Sequence, residues 1–404
     1  MKFTVATNWQ MDLLDELRKY PEVEDVFGKL DMDIIGGGRS SYLLPKVNRE
    51  QAKHYVEEAH KRNIKFNYLL NASCLNAVEF SKEWQYKFDE LLEWIIDMKV
   101  DKVTVSSPYL LRLIKSRHSN LQVVISCFAT VNGVQRAKWF EEYGADAIAW
   151  DFMCIQRDFR LMKAMVKNVS CQFHLFVNDI CLYQCPSRLH HANISSHGSQ
   201  SEHKNKGFVT EYCFLNCFYE KIFNPVEIIK SPWVRPEDLG EYEDIGIEKI
   251  KIVDRTCTTD WIVNVVKAYT ERKYNGNLID LLNLPGSTRL QNLDMARLIK
   301  SDTASKELLD ALSVLSRYKL YYLDNSALDG FLEYFKKNEC RLISCEKCGY
   351  CQKIADRSIK INPDLPESIV EKIPVLKNVL RRYLDSIHTG DIFKDEQGLI
   401  KKAV

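Results

Sequence analysis

The sequence predicts an α/β fold, a TIM-like (β/α)8 barrel with a cysteine-rich insertion and a mainly helical C-terminal domain. Three observations lead there. Short apolar, β-rich runs alternate eight times with amphipathic helical patterns, which is the order of a parallel barrel. One connection, between the seventh and eighth runs, is far longer than the usual few residues and concentrates cysteine and histidine. Past residue 285 the alternation stops.

In order, the runs are FTVA (3–6), MDIIGGG (32–38), KFNYLLN (65–71), DKVTVSS (101–107), LQVVISC (121–127), DAIAWD (146–151), CQFHLFVN (171–178) and IEKIKIVD (247–254). Between them, NREQAKHYVEEAHKRN, FDELLEWIIDMK and VQRAKWFEEYG repeat their apolar residues at three and four, the helical period. An open doubly wound sheet is the competing architecture for such alternation.

Barrel enzymes place their chemistry at the C-terminal ends of the strands. The polar residues ending each run are therefore the ones to watch: Gly36, Gly37 and Gly38, Asn71, Ser106 and Ser107, Asp151, Asn178, and Asp254 with Arg255. Each taken alone also suits a helix cap or a turn.

The long connection, 178–220, holds Cys181 and Cys185 directly after the seventh run and Cys213 and Cys217 on its return, two C-x3-C pairs. Four thiolates in two close pairs suit a zinc ion or an iron–sulfur cluster, and spacing alone does not choose. His190, His191, His197 and His203 lie in the same stretch and could supply alternative ligands or proton transfer; a solvated histidine is the ordinary state there, and His190 and His191, close behind Cys185, are the better candidates.

The chain has 404 residues, 46% hydrophobic and 27% charged, enough for one large domain and a smaller one, here 1–284 and 285–404. Lysine plus arginine (56) nearly cancels aspartate plus glutamate (55), so bulk charge points to neither nucleic acid nor an anionic membrane. No secretory signal or long apolar run appears, which leads us to expect a cytoplasmic protein with reduced thiols and no disulfide framework. Of the thirteen cysteines, Cys74, Cys127, Cys154, Cys171 and Cys257 are scattered at apolar positions and read as inert buried thiols. The tail instead spaces Cys340, Cys345, Cys348 and Cys351 as C-x4-C-x2-C-x2-C, like ferredoxin-type binding runs, with zinc as the alternative. After it, LPESIVEKIPVLKNVLRRYLDSI has an amphipathic helical pattern.

The succession HYVEEAHKRNIKFNYLLN, GADAIAW, FHLFVNDICLYQCPSR, CFLNC and IKSPWVRPEDLGEYEDIGIEKIKIVDRTCTTDWIVNVVKAY resembles the U32 peptidases, the collagenase-like proteins, over 1–283. This resemblance implies a barrel whose four cysteines, here Cys181, Cys185, Cys213 and Cys217, bind one [4Fe-4S] cluster. It also implies oxygen-independent hydroxylation of RNA bases or of a quinone precursor's ring, in some members by heterodimers of related chains. The chain departs from the family in its narrow first pair, C-x3-C, in VDR where EGR is usual, and in its extra four-cysteine tail.

The expected function is thus an iron–sulfur-dependent redox enzyme, with Asp151, Asp254, Arg255 and His190 orienting substrate or moving protons. A second [4Fe-4S] cluster is expected on Cys340, Cys345, Cys348 and Cys351, either delivering electrons to the first or serving another substrate-related role. The substrate, whether small molecule, peptide or RNA, is open. A related partner chain or an electron donor is the expected company, and no membrane. The alternative is a non-catalytic barrel with structural zinc at both sites. True peptidase activity ranks last, because H-E-x-x-H and G-x-S-x-G are absent and no cysteine has an assignable base.

Overall fold

The computed structural model describes residues 1–204, 206–207, 212–284 and 305–394. Eight parallel strands close into a barrel, β1 (Lys2–Ala6), β2 (Val23–Gly28), β3 (Lys65–Leu70), β4 (Lys102–Val105), β5 (Gln122–Ile125), β6 (Ala147–Ala149), β7 (Gln172–Phe176) and β8 (Lys249–Ile252). Because β1 pairs with both β2 and β8, the sheet has no edge, and the open doubly wound alternative is excluded. Helices on the outside bury apolar faces against the strands and begin at side-chain caps. Asn48 and Gln51 form a reciprocal capping box, and Ser81, Ser107, Asp158 and Thr258 each accept from a backbone N–H of the first turn.

One expected strand is wrong. The second strand is Val23–Gly28, and 32–38 is a loop. The true strand carries Glu24 and Asp25, which hide its apolar alternation. Inside the closed barrel those acids are satisfied: Lys249 reaches Glu24 at 2.8 Å and also Asp25, while Lys102 lies 3.0 Å from both. Burial pushes the Glu24 carboxyl up, but Lys249 and Lys102 outweigh it and hold the group well below the usual carboxylate range. The apolar residues of 32–38 pack as a turn instead. Asp33 accepts from the N–H groups of Ile35 (3.0 Å) and Gly36 (2.6 Å) and pairs with Lys29 at 3.0 Å. Gly36 has φ 77°, and a Cβ there would meet the Ser196 carbonyl oxygen at 2.5 Å, so only glycine fits.

Between β7 and β8 the chain makes helices Arg188–His197, Tyr212–Phe223, Val226–Lys230 and Leu239–Glu243. The expected division at 284/285 falls beside residues 285–304, which lie outside the described residues. Beyond them come helices Lys306–Arg317, Glu333–Lys337, Tyr350–Ser358 and Ile373–Thr389, with a small antiparallel pair, β9 (Tyr321–Leu323) and β10 (Ile359–Ile361). The amphipathic stretch near 365–387 breaks before Ile373, where Pro374 suits the first turn of the last long helix.

The C-terminal residues serve two cores. Phe331, Phe335 and Ile354 join the barrel's core. Leu308, Leu312, Leu315, Leu376 and Leu380 instead form a second core with Leu215, Phe218 and Ile222 of the insertion helix.

Candidate functional site

The C-terminal mouth of the barrel opens into a cavity of about 1040 Å³. Its floor follows from the period of two along a strand. Asp25 and Lys249 point into the barrel base, and two residues on, Phe27 and Lys251 face the cavity, with Phe176 beside Lys251 on the neighbouring strand.

All four insertion cysteines line this cavity. Cys181 and Cys185 sit in the loop leaving β7, where the Cys181 N–H donates to Asp179 at 3.1 Å. Cys213 and Cys217 are four apart on helix Tyr212–Phe223 and so share a face. Burial, then Asp179 and Cys217, pushes the Cys181 thiol well up, and burial raises Cys185 as well. Lys221, one turn beyond Cys217, shows the reverse. Burial disfavours its charge, yet Cys217 and Cys181 outweigh burial and raise its pKa.

The strand-end residues divide. Asp254 and Arg255 line the cavity, Asp254 pairing with Arg39 at 2.9 Å. Arg255 is 4% exposed, and one guanidinium nitrogen, Nη1, has no hydrogen-bond partner; the Asn71 Oδ1 is in the same state, and both residues line the cavity. Asp151 is buried behind the wall, where it pairs with Arg188, and it is Arg188 that faces the cavity, donating also to the Cys127 carbonyl at 2.6 Å. Asn178 clasps the ends of β7 and β8, bonding both backbone groups of Val253. Ser106 donates to the Asn71 carbonyl at 2.9 Å and Ser107 caps a helix, so both serve the scaffold. Of the three glycines, Gly38 reaches the cavity. His190 is exposed on helix Arg188–His197, one position off the inward face, whereas His191 lines the cavity.

Sequence reasoning missed the cationic lining of Arg39, Arg188, Lys221 and Lys251. Arg188 had a signal, since it closes CPSR just behind Cys185. The lysine pair of KIKI, on one strand face, was the other.

The tail cysteines line a second cavity of about 400 Å³, with Cys154, Arg157, Tyr183 and Lys230. Cys345 and Cys348 lie on one short helix, Gly349 turns the chain at φ 62°, and Cys351 begins the next. The Tyr334 hydroxyl is 3.0 Å from the Cys348 Sγ. Arg157 anchors this unit to the barrel, its guanidinium lying over Phe331 (4.7 Å), Trp233 (4.9 Å) and Phe335 (5.2 Å). Phe152 borders both cavities. None of the thirteen cysteines is in a disulfide. Among the described residues, no three Cys, His, Asp or Glu side chains stand close enough to share one metal ion, and no helix is long and apolar enough to cross a membrane.

The profile of Peptidase family U32 matches residues 39–277. An uncharacterized protease of Methanocaldococcus jannaschii is 32% identical over 329 residues, 81% of this chain and 87% of that protein. Among solved structures, the U32 peptidase Mk0906 is 20% identical with a TM-score of 0.47, covering 63% of this chain and 93% of its own. Phosphoribosyl anthranilate isomerase of Thermus thermophilus is 9% identical with a TM-score of 0.31, covering 67% and 98%. The profile covers more than half of the chain and takes in both mouth cysteine pairs as well as Asn71, Asp254 and Arg255: this protein belongs to peptidase family U32.

Proposed function

We infer that the chain is an iron–sulfur-dependent redox enzyme whose mouth set, Cys181, Cys185, Cys213 and Cys217, holds a [4Fe-4S] cluster facing the substrate cavity. The observation carrying this is that those four thiols, from two separate elements, all line the mouth cavity that also receives the strand ends. The donor set fits: four sulfurs, one for each iron, on a cavity wall. The tail set has the same four-sulfur composition around its own cavity, and we assign it a second cluster.

When bound, the mouth group would supply one-electron exchange beside the cavity. The chain's own residues do the rest. Arg255 and Asn71 offer an unpaired donor and acceptor to a ligand. Asp254, held by Arg39, and Arg188, held by Asp151, are fixed in orientation before substrate arrives. Phe27, Phe152 and Phe176 keep the floor apolar. The reaction class is hydroxylation without molecular oxygen, or a related modification, of a small molecule, a peptide or an RNA base. With water as the oxygen source, R–H and H2O become R–OH, two protons and two electrons, and a one-electron carrier protein accepts the electrons in turn.

Peptidase chemistry, which the relatives' names suggest, needs an activated nucleophile. A cysteine nucleophile works as its thiolate at lowered pKa. Here burial raises Cys127, Cys181 and Cys185, and raises Cys154 to about 11. The test is purification without oxygen followed by metal analysis and a protease assay. A brown protein with about eight irons and eight sulfides per chain is expected for two four-iron clusters. A colourless protein with two zincs, or peptide hydrolysis by metal-free protein, would sink the redox assignment.

A further inference from the structure

Lys249 and Lys251 lie on the same strand, two residues apart and on the same interior face, yet their surroundings are opposite. Lys249 is fully buried against two carboxylates, Glu24 and Asp25. Lys251 is 6% exposed, lines the mouth cavity, and pairs with no carboxylate among the described residues. Its ammonium lies over the rings of Phe27, 4.1 Å from the centroid, and Phe176, at 5.5 Å. A buried lysine without a counter-ion is costly for stability unless it spends time neutral. The barrel base shows that this fold pairs its interior lysines where the role is structural; the mouth lysine is left unpaired.

We propose that Lys251 is a nucleophilic amine that captures an aldehyde or ketone as an imine, with Arg255 holding an anionic group on the same ligand. The amine nitrogen attacks the carbonyl carbon, the two amine protons leave with the carbonyl oxygen as water, and a C=N bond replaces C=O. No oxidant or reductant is consumed. The geometry suits each part. Lys251 opens onto the cavity, and Arg255 lines that cavity with one guanidinium nitrogen unpartnered. The apolar rings of Phe27, Phe152 and Phe176 keep water from the amine. Phe152 and Phe176 stack on each other with centroids 4.5 Å apart, which makes a flat wall beside it.

The electrostatics agree. Burial above all, with help from Arg255 and Lys249 and against the pull of Cys127 and Asp25, brings Lys251 from the ordinary 10.5 down to about 8. At neutral pH that leaves on the order of a hundredfold more free amine than on an exposed lysine. The assignment goes beyond the redox function.

The test is reductive trapping on the full-length protein. Purified protein is incubated with glyoxylate, or with the uncharged propionaldehyde, together with cyanoborohydride, and labelled lysines are mapped by peptide mass spectrometry. We expect Lys251 to label first, to one equivalent, well ahead of exposed lysines such as Lys53 and Lys61. Arg255→Gln removes a charge that favours the free amine and so slows both aldehydes, but glyoxylate labelling of Lys251 should fall roughly tenfold further than propionaldehyde labelling, the loss of one charged hydrogen bond. Lys251→Arg should leave only the surface background. The peptide map of unmodified sequence is decisive without any variant: Lys251 labelling no faster than Lys53 and Lys61 overturns the proposal, and equal effects of Arg255→Gln on both aldehydes overturn the anion-holding role.

Discussion

The two four-cysteine sets differ in how the fold holds them. The mouth set is assembled from a loop and a helix distant in sequence, and it faces a cavity lined by Arg39, Arg188, Lys221, Lys251 and Arg255. The tail set is local, drawn from twelve consecutive positions of the sequence, 340–351, and it backs onto the barrel through the aromatic stack around Arg157. A site built from distant segments depends on tertiary packing, whereas a local one depends mainly on its own turn. Both adjoin Phe152, so one ring is part of the wall of each. The contrast suits a reactive centre at the mouth and an accessory centre behind it.

Four substitutions sharpen or break this contrast. The largest effect is expected from Cys217→Ala, which should remove about half of the iron of a two-cluster protein and all activity. Full iron retention would place the mouth cluster elsewhere. Cys348→Ala should remove the other half while the mouth keeps its iron, and unchanged iron content would show that the tail binds none. Third is Leu380→Ala, deep in the second core against the insertion helix. It should lower unfolding stability by about 2–5 kcal/mol in chemical denaturation. Its iron loss should fall on the mouth set, because Leu215, Phe218 and Ile222 flank Cys213 and Cys217 on that helix. Equal loss from both sets would mean that the distinction in packing does not govern cofactor retention. The smallest effect belongs to Cys257→Ala. This thiol is buried at the start of the β8 connection and lines neither cavity, and iron content should not change.

What could be read from the sequence followed a physical divide. Strands whose burial is apolar announced themselves, and the mouth location of Cys181 and Cys185 followed from their place after β7. The strand Val23–Gly28 escaped because its charges are satisfied by Lys102 and Lys249, partners tens to hundreds of residues away. Asp254 and Arg255 were legible as a strand end that meets the cavity. Asp151 was legible only as a position: its carboxylate turns to Arg188, which no local pattern foretells. His190 and His191 are adjacent, and only the helix phase of Arg188–His197 decides which of them faces inward. Lys251 looked like any strand lysine until closure of the barrel put it at the cavity floor. The C-terminal segment read as a separate helical domain, but its apolar faces are divided between the barrel and the insertion helix, and that partition is a property of packing alone.

The second core also sets an order of events in the cell. Helix Tyr212–Phe223 buries its apolar side on helices Lys306–Arg317 and Ile373–Thr389, residues made long after it. During synthesis the barrel strands are all available once β8 has emerged, but the helix bearing Cys213 and Cys217 still lacks the C-terminal part of its packing. Its apolar side is therefore fully covered only after roughly another hundred and forty residues leave the ribosome, several seconds or more at ordinary elongation rates. On the proposed assignment, loading of the mouth cluster would follow synthesis of the C-terminal helices, and a product ended before them would present two of the four thiols on a helix without its second core.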